Sequence, residues 1–592
     1  MPKNENALAL DAKIKEYLSA EKEDVFRQEI EELLKSKQMD ELYDRFYQNL
    51  EFGTGGLRGK IGGGLNRMNT FVVRQATQGL ANYLLKTKAK DKKIKVVIAY
   101  DSRKFSSVFA QKAALVLAAN GIQTYIFKEL TPTPILSFMV RYLECDCGIV
   151  ITASHNPPAY NGYKVFWEDG AQIVEPQDRL ITEEILAVGT KIADSDLPEI
   201  ISSELLQEVP SEAEEAYYTM AQTKLRFNSI PKTADDNFEV IYTPLHGTGL
   251  EPIKKLFKKI GVPLRVVEEQ AKPDPNFTHA PVPNPENKEA FNLAFKVFME
   301  RPAAIILATD PDADRLGVAV PAQEEFRLLN GNEVGIIFLY HLLQTRLQEI
   351  PKGKTPYIIK TIVTSDIQRR LAESFNVHCF DTLTGFKNIG ALIRKLEQTK
   401  PDYYFLFGNE ESCGYLIENE VRDKDGITAA ALAAEIALYW KLQGLTLLEV
   451  LRKIYEQYGL YHEAQLSQIY EGEKGSLVIK SIMEELRQNP QKVFPQRKII
   501  LLKDYANATS YECLHNRKIN DLDFPLSNVL QFYFEDGTQI TARPSGTEPK
   551  IKFYFSLHLD PPFNFSEAEQ ILHARAEAYQ TCLREYLKGK GK

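Results

Sequence analysis

Three aspartates at alternate positions are the clearest candidates for chemistry in this sequence. Asp310, Asp312 and Asp314 follow the apolar run AAIILA, which predicts a buried strand. Hard oxygen ligands at this spacing suit Mg²⁺ and leave a further coordination position for a phosphate oxygen. A calcium-binding EF-hand loop requires Gly at its sixth position and Glu at its twelfth, where this sequence has Arg315 and Pro321. A solvated acidic turn is the alternative interpretation of the three carboxylates.

A serine turn is the second candidate. Ser154 and His155 follow a predicted strand at residues 148–152 and precede two prolines. Proteins with α/β folds place their ligands in loops at the carboxyl ends of parallel strands. The Asn-Gly pair at residues 161–162 predicts a turn that brings the amine of Lys164 toward the serine, where a desolvated lysine can carry a proton. An ordinary polar turn and a surface lysine are the alternatives.

Two loops carry an arginine among glycines or hydroxyl side chains. Arg543, Ser545, Gly546 and Thr547 combine a guanidinium fork, hydroxyl donors and accessible backbone N–H groups. This composition is typical of a phosphate cradle, with a polar turn between strands as the alternative. The segment GTGGLRGK lacks the spacing of a nucleotide-binding loop. We predict that it is a flexible glycine-rich loop that presents Arg58 to a phosphoryl group.

Polar side chains also follow two later strands. Glu410 and Ser412 come directly after a predicted strand at residues 403–407, where carboxylate and hydroxyl groups suit the hydroxyls of a sugar. Lys387 lies at another turn from strand to helix. Together with the acidic, serine and arginine loops, these residues indicate phosphoryl transfer on a polyol.

The elements between these loops predict an α/β protein. Strands and helices alternate in three successive rounds from residue 95, which favours parallel or mixed sheets, whereas strands predominate after residue 462. Asp536-Gly537 predicts a hairpin turn and the proline-rich residues 273–285 an extended loop. We predict a helical N-terminal extension (1–50), three α/β domains with mixed sheets (51–205, 206–322 and 323–462) and a C-terminal α+β domain (463–592).

The composition excludes several classes of protein. The 592 residues are 44% hydrophobic and 26% charged, close to the average of soluble globular proteins, which excludes a disordered or collagen-like chain. A net charge of −8 without a basic block disfavours nucleic-acid binding. Six scattered cysteines are typical of reduced thiols. Because the sequence shows no signal-peptide core and no apolar run long enough for a membrane span, we expect a cytoplasmic protein without a nucleic-acid or membrane partner.

The order of the four loops points to a known family. The loops of Ser154, of the three aspartates, of Glu410 and of Arg543 resemble, in this order and at these spacings, the α-D-phosphohexomutase superfamily over residues 53–556. The segments around Ser154 and the aspartates, and RDKDG at residues 422–426, are similar to its phosphoglucomutase and phosphopentomutase-like branch. The motif YTPLHG is similar to the bacterial members of that branch.

This resemblance implies a role for each loop. Ser154 would be the phosphorylated serine, and its phosphoryl oxygen would share Mg²⁺ with Asp310, Asp312 and Asp314. Arg58, His155 and Lys164 would be basic active-site residues, with Lys164 as the general acid or base. The resemblance also implies substrate-binding residues for the sugar hydroxyls and the phosphate that does not react: Arg315, Lys387, Glu410, Ser412, Arg543, Ser545, Gly546 and Thr547.

The resemblance also implies an activity. It predicts four domains around a central cleft and the interconversion of glucose 1-phosphate and glucose 6-phosphate through glucose 1,6-bisphosphate, in a monomer or homodimer whose partner is a small phosphosugar. Asn409 stands where the family usually has glycine in the sugar loop. The alternatives are a phosphopentomutase, a phosphomannomutase or a sugar-bisphosphate synthase that uses the same site, and a phosphosugar-binding protein without catalytic activity.

Overall fold

The computed structural model describes the chain as two compact units. The described residues are 2–53, 55–88, 92–193, 195, 198–227, 238–322, 325–470, 472–495, 497–513, 517–545 and 550–590. The first unit comprises Met1–Asn330, Phe386–Pro401 and Ser412–Gln443, and the second comprises Gly331–Gly385, Asp402–Glu411 and Gly444–Lys592. The predicted division into an N-terminal extension and four domains is finer than these two units and stays a prediction, as does the central cleft.

The helices and strands of the described residues alternate through most of the chain. The helices are α1 (Pro2–Ala20), α2 (Asp24–Lys35), α3 (Met39–Phe46), α4 (Thr70–Thr87), α5 (Ser106–Ala119), α6 (Thr133–Tyr142), α7 (Gln177–Val188), α8 (Pro198–Ile201), α9 (Ser211–Thr223), α10 (Leu250–Ile260), α11 (Glu268–Ala271), α12 (Asn292–Glu300), α13 (Gly331–Arg346), α14 (Ile367–Ser374), α15 (Phe386–Thr399), α16 (Gly426–Leu442), α17 (Leu447–Tyr458), α18 (Gly472–Gln488), α19 (Pro490–Val493) and α20 (Phe565–Lys588). The strands are β1 (Phe52–Gly53), β2 (Gly56–Lys60), β3 (Lys95–Tyr100), β4 (Gln123–Ile126), β5 (Cys147–Ile151), β6 (Tyr160–Trp167), β7 (Leu206–Glu208), β8 (Val240–Thr243), β9 (Leu264–Val266), β10 (Ile305–Thr309), β11 (Leu316–Ala322), β12 (Glu325–Leu329), β13 (Thr355–Thr361), β14 (His378–Thr382), β15 (Tyr403–Glu410), β16 (Gly414–Leu416), β17 (Leu460–Ile469), β18 (Ile499–Asp504), β19 (Thr509–Glu512), β20 (Arg517–Asp521), β21 (Leu530–Phe534), β22 (Gln539–Pro544) and β23 (Lys550–Leu559). None of the described helices is long and apolar enough to cross a lipid bilayer.

The first unit contains two mixed sheets. The first sheet has the strand order β1-β2-β6-β5-β3-β4-β7, with a parallel centre and the antiparallel strands β6, β2 and β1 on one side. The second has the order β12-β11-β10-β8-β9, in which β10, β8 and β9 are parallel and β11 and β12 antiparallel. The central strands β3, β5, β8 and β10 are nearly continuous apolar runs, because helices cover both faces of such sheets.

The second unit contains a parallel group of strands and an antiparallel sheet. Strand β13 pairs in parallel with β14 and β15. The C-terminal sheet, of order β17-β23-β22-β21-β18-β19-β20, is antiparallel throughout, and α18 and α20 pack against it. The predicted turn at Asp536-Gly537 joins β21 to β22. Three α/β sheets followed by a β-rich C-terminal domain confirm the predicted fold class.

Two predictions about turns in the first sheet are wrong. Asn161 and Gly162 lie inside β6, where a Cβ atom on the glycine would approach the carbonyl oxygen of Thr152 to 2.5 Å. The glycine therefore permits close packing of two strands and does not form a turn. The described residues of GTGGLRGK form the β1–β2 hairpin and not a flexible loop, and Arg58 lies on β2 opposite Gly162. Thr54 lies outside the described residues.

Three helices, α1, α2 and α3, lie in the segment for which the sequence predicts a helical N-terminal extension. Their apolar side chains join the core of the first sheet and do not stand apart from it. Tyr17 meets the ring of Phe46 at 5.5 Å and the ring of Phe71 on α4 at 5.8 Å, both edge to face. The extension is therefore part of the first unit's core.

A buried carboxylate ties this extension to α4. Glu21 is 2% exposed, and its two carboxylate oxygens accept hydrogen bonds from the hydroxyl of Thr70 and, at 3.0 Å, from the N–H of Phe71. Its oxygens also accept from the N–H of Glu23 at 2.9 Å and the hydroxyl of Tyr17 at 3.3 Å. The first N–H groups of a helix have no partner within the helix, so Glu21 caps α4 from a distant part of the chain.

We predict that Glu21→Gln weakens the attachment of α1–α3 by about 1–3 kcal/mol, because the amide would place an N–H₂ group against donors that now meet a carboxylate. The expected results are a lower thermal midpoint and faster amide hydrogen exchange in α1–α3. Glu16→Gln, on the exposed face of α1, is the matched control. Equal exchange in the two variants would contradict the capping role.

Candidate active site

Ser154 lies in a tight turn directly after β5. Its φ angle of 51° is in the left-handed region, and its N–H donates to the hydroxyl of Thr152 at 2.8 Å. The Ser154 hydroxyl is buried and donates to Oδ2 of Asp310 at 2.6 Å. Nδ1 of His155 lies 3.3 Å from the same hydroxyl. The turn thus directs the serine oxygen at the first carboxylate of the acidic loop.

The three aspartates form one buried cluster after β10. Asp310, Asp312 and Asp314 are all at most 1% exposed, and one oxygen from each lies within 4.8 Å of the others. The loop turns at Ala313, whose φ is 49° and whose N–H donates to the carbonyl of Asp310 at 2.9 Å. Antiparallel pairing of β10 with β11 closes the loop at its base. The alternation of aspartates therefore directs three carboxylates toward one point, as the sequence predicts.

The electrostatics of this cluster fit a divalent cation. Burial and the neighbouring carboxylates of Asp312 and Asp314 raise the pKa of Asp310 well above its ordinary value. Oδ1 of Asp312 and Oδ1 of Asp314 are buried without a hydrogen-bond partner. Buried polar atoms normally have partners, so these oxygens are suited to a metal ion. The residues present therefore match an oxygen-coordinated cation such as Mg²⁺.

Two buried lysines flank the cluster. Nζ of Lys164, on β6, lies 2.8 Å from Asp312 Oδ2 and 3.6 Å from Asp314 Oδ2. Burial alone would lower the pKa of Lys164, but the two carboxylates hold it above the ordinary value. The interaction with Lys164 likewise holds the pKa of Asp312 below its usual range, against the effect of burial. Lys164 is therefore an ammonium that compensates the acidic loop, placed beside it by a strand and not by the predicted turn.

The second lysine, Lys424, was not among the predicted site residues. Its Nζ lies 3.1 Å from Asp314 Oδ2 and 3.0 Å from Asp423 Oδ1. Asp423 in turn accepts a hydrogen bond from Nε2 of Gln172 at 2.7 Å. The signal in the sequence was the motif RDKDG, which places four charges directly before the apolar helix α16. Four charged residues beside a buried helix indicate that their side chains pair with other polar groups in the protein interior.

The other predicted basic residues near the serine make defined contacts. Nη1 of Arg58 donates to Oδ1 of Asn156 at 3.3 Å. Burial, Arg315 and Arg58 lower the pKa of His155 well below its ordinary value, so the ring is neutral at physiological pH. The N–H of Arg315 donates to Asp310 Oδ1 at 3.0 Å, and its guanidinium pairs with Glu286. The structure thus groups these three side chains around the serine and the acidic loop.

Two predicted sugar-binding residues belong to the same unit. Ser412 precedes Cys413, whose carbonyl accepts from the N–H of Leu316 at 3.0 Å, the first residue of the strand after the acidic loop. Lys387 lies in the first turn of α15, next to Phe386, whose ring centroid is 5.5 Å from Nζ of Lys424. Ser412 and Lys387 are thus attached to elements that adjoin the acidic loop.

The remaining predicted residues belong to the second unit. Glu410 ends β15, Arg543 lies on β22, and the N–H of Ser545 donates to the carbonyl of Lys550 at 2.7 Å. Gly546 and Thr547 lie outside the described residues. The neighbouring Glu411 accepts from the hydroxyl of Thr361 at 3.1 Å, and burial together with the charge of Glu410 raises the pKa of Glu411 to about 7.

Asn409, at the usual glycine position, packs inside the second unit. Its Oδ1 accepts from Nε2 of Gln368 on α14. A Cβ atom at Gly335 on α13 would approach this same oxygen to 2.3 Å, so the helix has a glycine where the asparagine side chain needs room. The asparagine side chain is therefore accommodated by the glycine of α13 and the glutamine of α14.

Comparison with known proteins identifies the family of this chain. Three models of the phosphoglucomutase/phosphomannomutase family match the chain: alpha/beta/alpha domain I over residues 49–191, domain II over residues 215–323 and domain III over residues 330–458. A protein named phosphoglucomutase from Staphylococcus haemolyticus (strain JCSC1435) is 36% identical over 530 residues, covering 89% of this chain and 93% of its own. One of the same name from Staphylococcus aureus (strain MRSA252) is 38% identical over 517 residues, with coverages of 86% and 90%.

Solved structures share the fold. A phosphoglucomutase/phosphomannomutase family protein from Burkholderia thailandensis is 18% identical with a TM-score of 0.62, covering 90% of this chain and 97% of its own. The parafusin of Paramecium is 19% identical with a TM-score of 0.65, with coverages of 91% and 96%. The sequence matches extend over most of the chain and confirm the resemblance to the α-D-phosphohexomutase superfamily. The chain therefore belongs to the phosphoglucomutase/phosphomannomutase family of phosphosugar mutases.

Proposed function

We propose that this chain is a phosphoglucomutase that interconverts glucose 1-phosphate and glucose 6-phosphate through a phosphoserine and glucose 1,6-bisphosphate. The observation that carries the proposal is the 2.6 Å hydrogen bond from Ser154 to Asp310 within a buried cluster of three carboxylates. A hydroxyl in that position can hold a phosphoryl group beside a divalent cation. The Staphylococcus proteins that match most of the chain carry the name of this activity.

The geometry of the sugar explains why an enzyme-bound phosphate is needed. The O1 and O6 oxygens of glucose cannot easily exchange a phosphoryl group directly. In the proposed cycle, the bond from Ser154 Oγ to phosphorus breaks as the free sugar hydroxyl forms a bond to that phosphorus, which gives the bisphosphate. The bisphosphate then reverses its orientation and returns its other phosphoryl group to Ser154, so that one phosphoryl group leaves and one returns.

Charge compensation is the main requirement of the transfer. A phosphoserine carries a charge of about −1.5 to −2, here beside three carboxylates. Asp310, Asp312 and Asp314 would hold Mg²⁺ together with a phosphoryl oxygen on Ser154, and the bound ion would supply Lewis-acid stabilisation of the phosphoryl charge. The protein's own cations add to it, since Lys164 and Lys424 already meet the same carboxylates.

The transfer also moves protons. The serine oxygen gains a proton as it leaves phosphorus, and the attacking sugar hydroxyl loses one. We assign this exchange to Lys164, whose amine lies 2.8 Å from the acidic loop that receives the serine hydrogen bond. The neutral ring of His155, 3.3 Å from the serine oxygen, and the guanidinium of Arg58 would bind phosphoryl oxygens.

The remaining family positions would recognise the substrate. Lys387, Glu410 and Ser412 would bind sugar hydroxyls, and Arg315 would add a cation beside the acidic loop. Arg543, Ser545, Gly546 and Thr547 would hold the phosphate that does not react. Such a site must accept the sugar in two orientations, so the group that holds the non-reacting phosphate must bind either of the two phosphates, and the bidentate fork of Arg543 suits a phosphate in both cases.

We predict that Ser154→Ala lowers turnover by more than about 1,000-fold, because the variant has no oxygen to carry the phosphoryl group. Turnover is measured with glucose 1-phosphate, Mg²⁺ and a trace of glucose 1,6-bisphosphate. Intact-mass analysis after exposure to the bisphosphate should show one added phosphate in the wild type and none in the variant. Ser195→Ala, which removes another buried hydroxyl, is the control.

Full turnover in Ser154→Ala would contradict the proposed function. The same assay run on mannose, ribose and deoxyribose 1-phosphates compares kcat/KM among the sugars. A higher value for one of these substrates than for glucose 1-phosphate would replace phosphoglucomutase by the corresponding mutase. Release of the bisphosphate as the main product would identify a bisphosphate synthase.

We predict that EDTA abolishes turnover and that added Mg²⁺ restores it. Mg²⁺ should also raise the thermal midpoint of the wild type, since a ligand at 100 times its Kd stabilises the native state by about 2.7 kcal/mol. Asp310→Asn should lose this Mg²⁺-dependent rise, whereas Asp24→Asn, at an exposed carboxylate on α2, should keep it. A midpoint that responds to Mg²⁺ equally in all three proteins would contradict a cation site at the aspartates.

A further inference from the structure

One buried arginine contacts the serine turn without reaching the reacting atoms. Arg103 lies in the segment between β3 and α5, and its side chain is 0% exposed. Its Nη2 donates to the carbonyl oxygens of Ser154 and, at 2.5 Å, Asn156. Its Nη1 donates to the carbonyl oxygens of Pro157 at 2.9 Å and Tyr160 at 3.0 Å. A single guanidinium thus gathers four backbone carbonyls of the turn that carries the serine.

The turn depends on these four donations. Ser154 has a φ of 51°, a left-handed conformation that is unfavourable for a residue with a side chain. The turn also directs four carbonyl oxygens at one interior point, where unpaired acceptors would each be costly. Arginine is the side chain whose rigid fork can donate to all four at once, because lysine has three donors on one nitrogen.

The guanidinium is itself held in place. Nε of Arg103 lies 3.3 Å from Oδ2 of Asp101. Oδ1 of Asp101 accepts from the N–H of Arg103 at 2.9 Å and from the hydroxyl of Ser106, the first residue of α5, at 2.7 Å. The ring of Phe277, from the proline-rich segment, covers the guanidinium with its centroid at 4.9 Å. Contacts along the first sheet and from the proline-rich segment fix the arginine's position.

We propose that Arg103 is a positioning residue for phosphoryl transfer: by holding the backbone of the serine turn, it sets the place of the Ser154 oxygen against Asp310. The inference rests on the proposed function, because it concerns the serine that would carry the phosphate. Arg103 donates to the carbonyl of Ser154 itself, and the hydroxyl of that residue donates to the carboxylate. A small displacement of the turn would therefore move the oxygen away from the acidic cluster.

The first unit offers a matched control. Arg265 on β9 also contacts a carboxylate and backbone carbonyls: it pairs with Glu239 and donates to the carbonyl oxygens of Val297 at 3.2 Å and Arg301 at 2.7 Å. It holds the C-terminal end of α12, which carries no proposed site residue. Substitution by lysine removes a guanidinium fork at either position. The two variants therefore differ only in the backbone segment that loses its hydrogen bonds, which is the serine turn for Arg103 and the end of α12 for Arg265.

The test compares Arg103→Lys with Arg265→Lys in the full chain. We expect Arg103→Lys to lower both kcat and the rate of Ser154 phosphorylation by glucose 1,6-bisphosphate about 10- to 100-fold, since misplacement of a reacting group by about 1 Å costs that much. KM should change less than about threefold, because the groups that bind the sugar phosphate are untouched. Arg265→Lys should lower only the thermal midpoint.

Chemical rescue adds a second measurement. Guanidinium ion added to Arg103→Ala should raise its phosphorylation rate, and the same addition to Arg265→Ala or to the wild type should not. If Arg103→Ala does not fold, Arg103→Lys alone decides. Equal kcat and equal phosphorylation rates in Arg103→Lys and Arg265→Lys would overturn the positioning role. A wild type that takes no phosphate on Ser154 would instead contradict the proposed function, and the inference with it.

Discussion

The site is organised by the mutual repulsion of three carboxylates that the fold holds in its interior. Asp310, Asp312 and Asp314 are buried within one loop, and their charges oppose one another in a medium of low dielectric constant. Such a cluster persists only where cations face it, and Lys164 and Lys424 meet it from two different elements. A cluster of this kind is a costly feature for stability alone, and it is suited to a divalent ion and to the phosphoryl group that such an ion binds.

The position of the serine relative to this cluster is set by contacts between the two sheets of the first unit. Thr133, at the start of α6 behind the first sheet, donates from its N–H to the carbonyl of Asp312 and from its hydroxyl to Oδ2 of the same residue, both at 2.9 Å. Within the second sheet, the backbone of Gly247, after β8, lies so close to Pro311 in the acidic loop that a Cβ atom on the glycine would approach the Cα of Pro311 to 2.4 Å. Phe277 covers Arg103 from the second sheet's proline-rich segment. These contacts make the distance from Ser154 to Asp310 a property of the whole unit.

The sequence allowed the fold class and the acidic loop to be predicted because both are local patterns. Apolar runs followed by polar loops mark the ends of buried strands, and Asp310, Asp312 and Asp314 lie in such a loop as expected. The conformation of a residue is harder to predict when it depends on partners that are distant in the sequence. Asn161 and Gly162 have the composition of a turn, yet lie inside β6 because the glycine meets the carbonyl of Thr152 in a neighbouring segment. A local sequence pattern does not indicate that a glycine will pack against a backbone carbonyl of another segment.

Arg103 and Lys424 were missed for the same physical reason. Each is a charged residue in a loop, a composition that ordinarily predicts a solvated side chain. Their burial follows from partners far away in sequence: the carbonyls of residues 154–160 for Arg103, and Asp314 for Lys424. A charged side chain is stable in the protein interior only when all of its partners are in place, so its burial depends on the complete fold.

The carboxylate cluster and Asn409 lie in different units of the chain. The serine, the three aspartates and both lysines belong to the first unit, where they are in contact with one another. The departure at Asn409 lies in the second unit, and its side chain is accommodated by Gly335 and Gln368. These contacts of Asn409 lie within the second unit. The carboxylates and the lysines that compensate them likewise have their partners within the first unit.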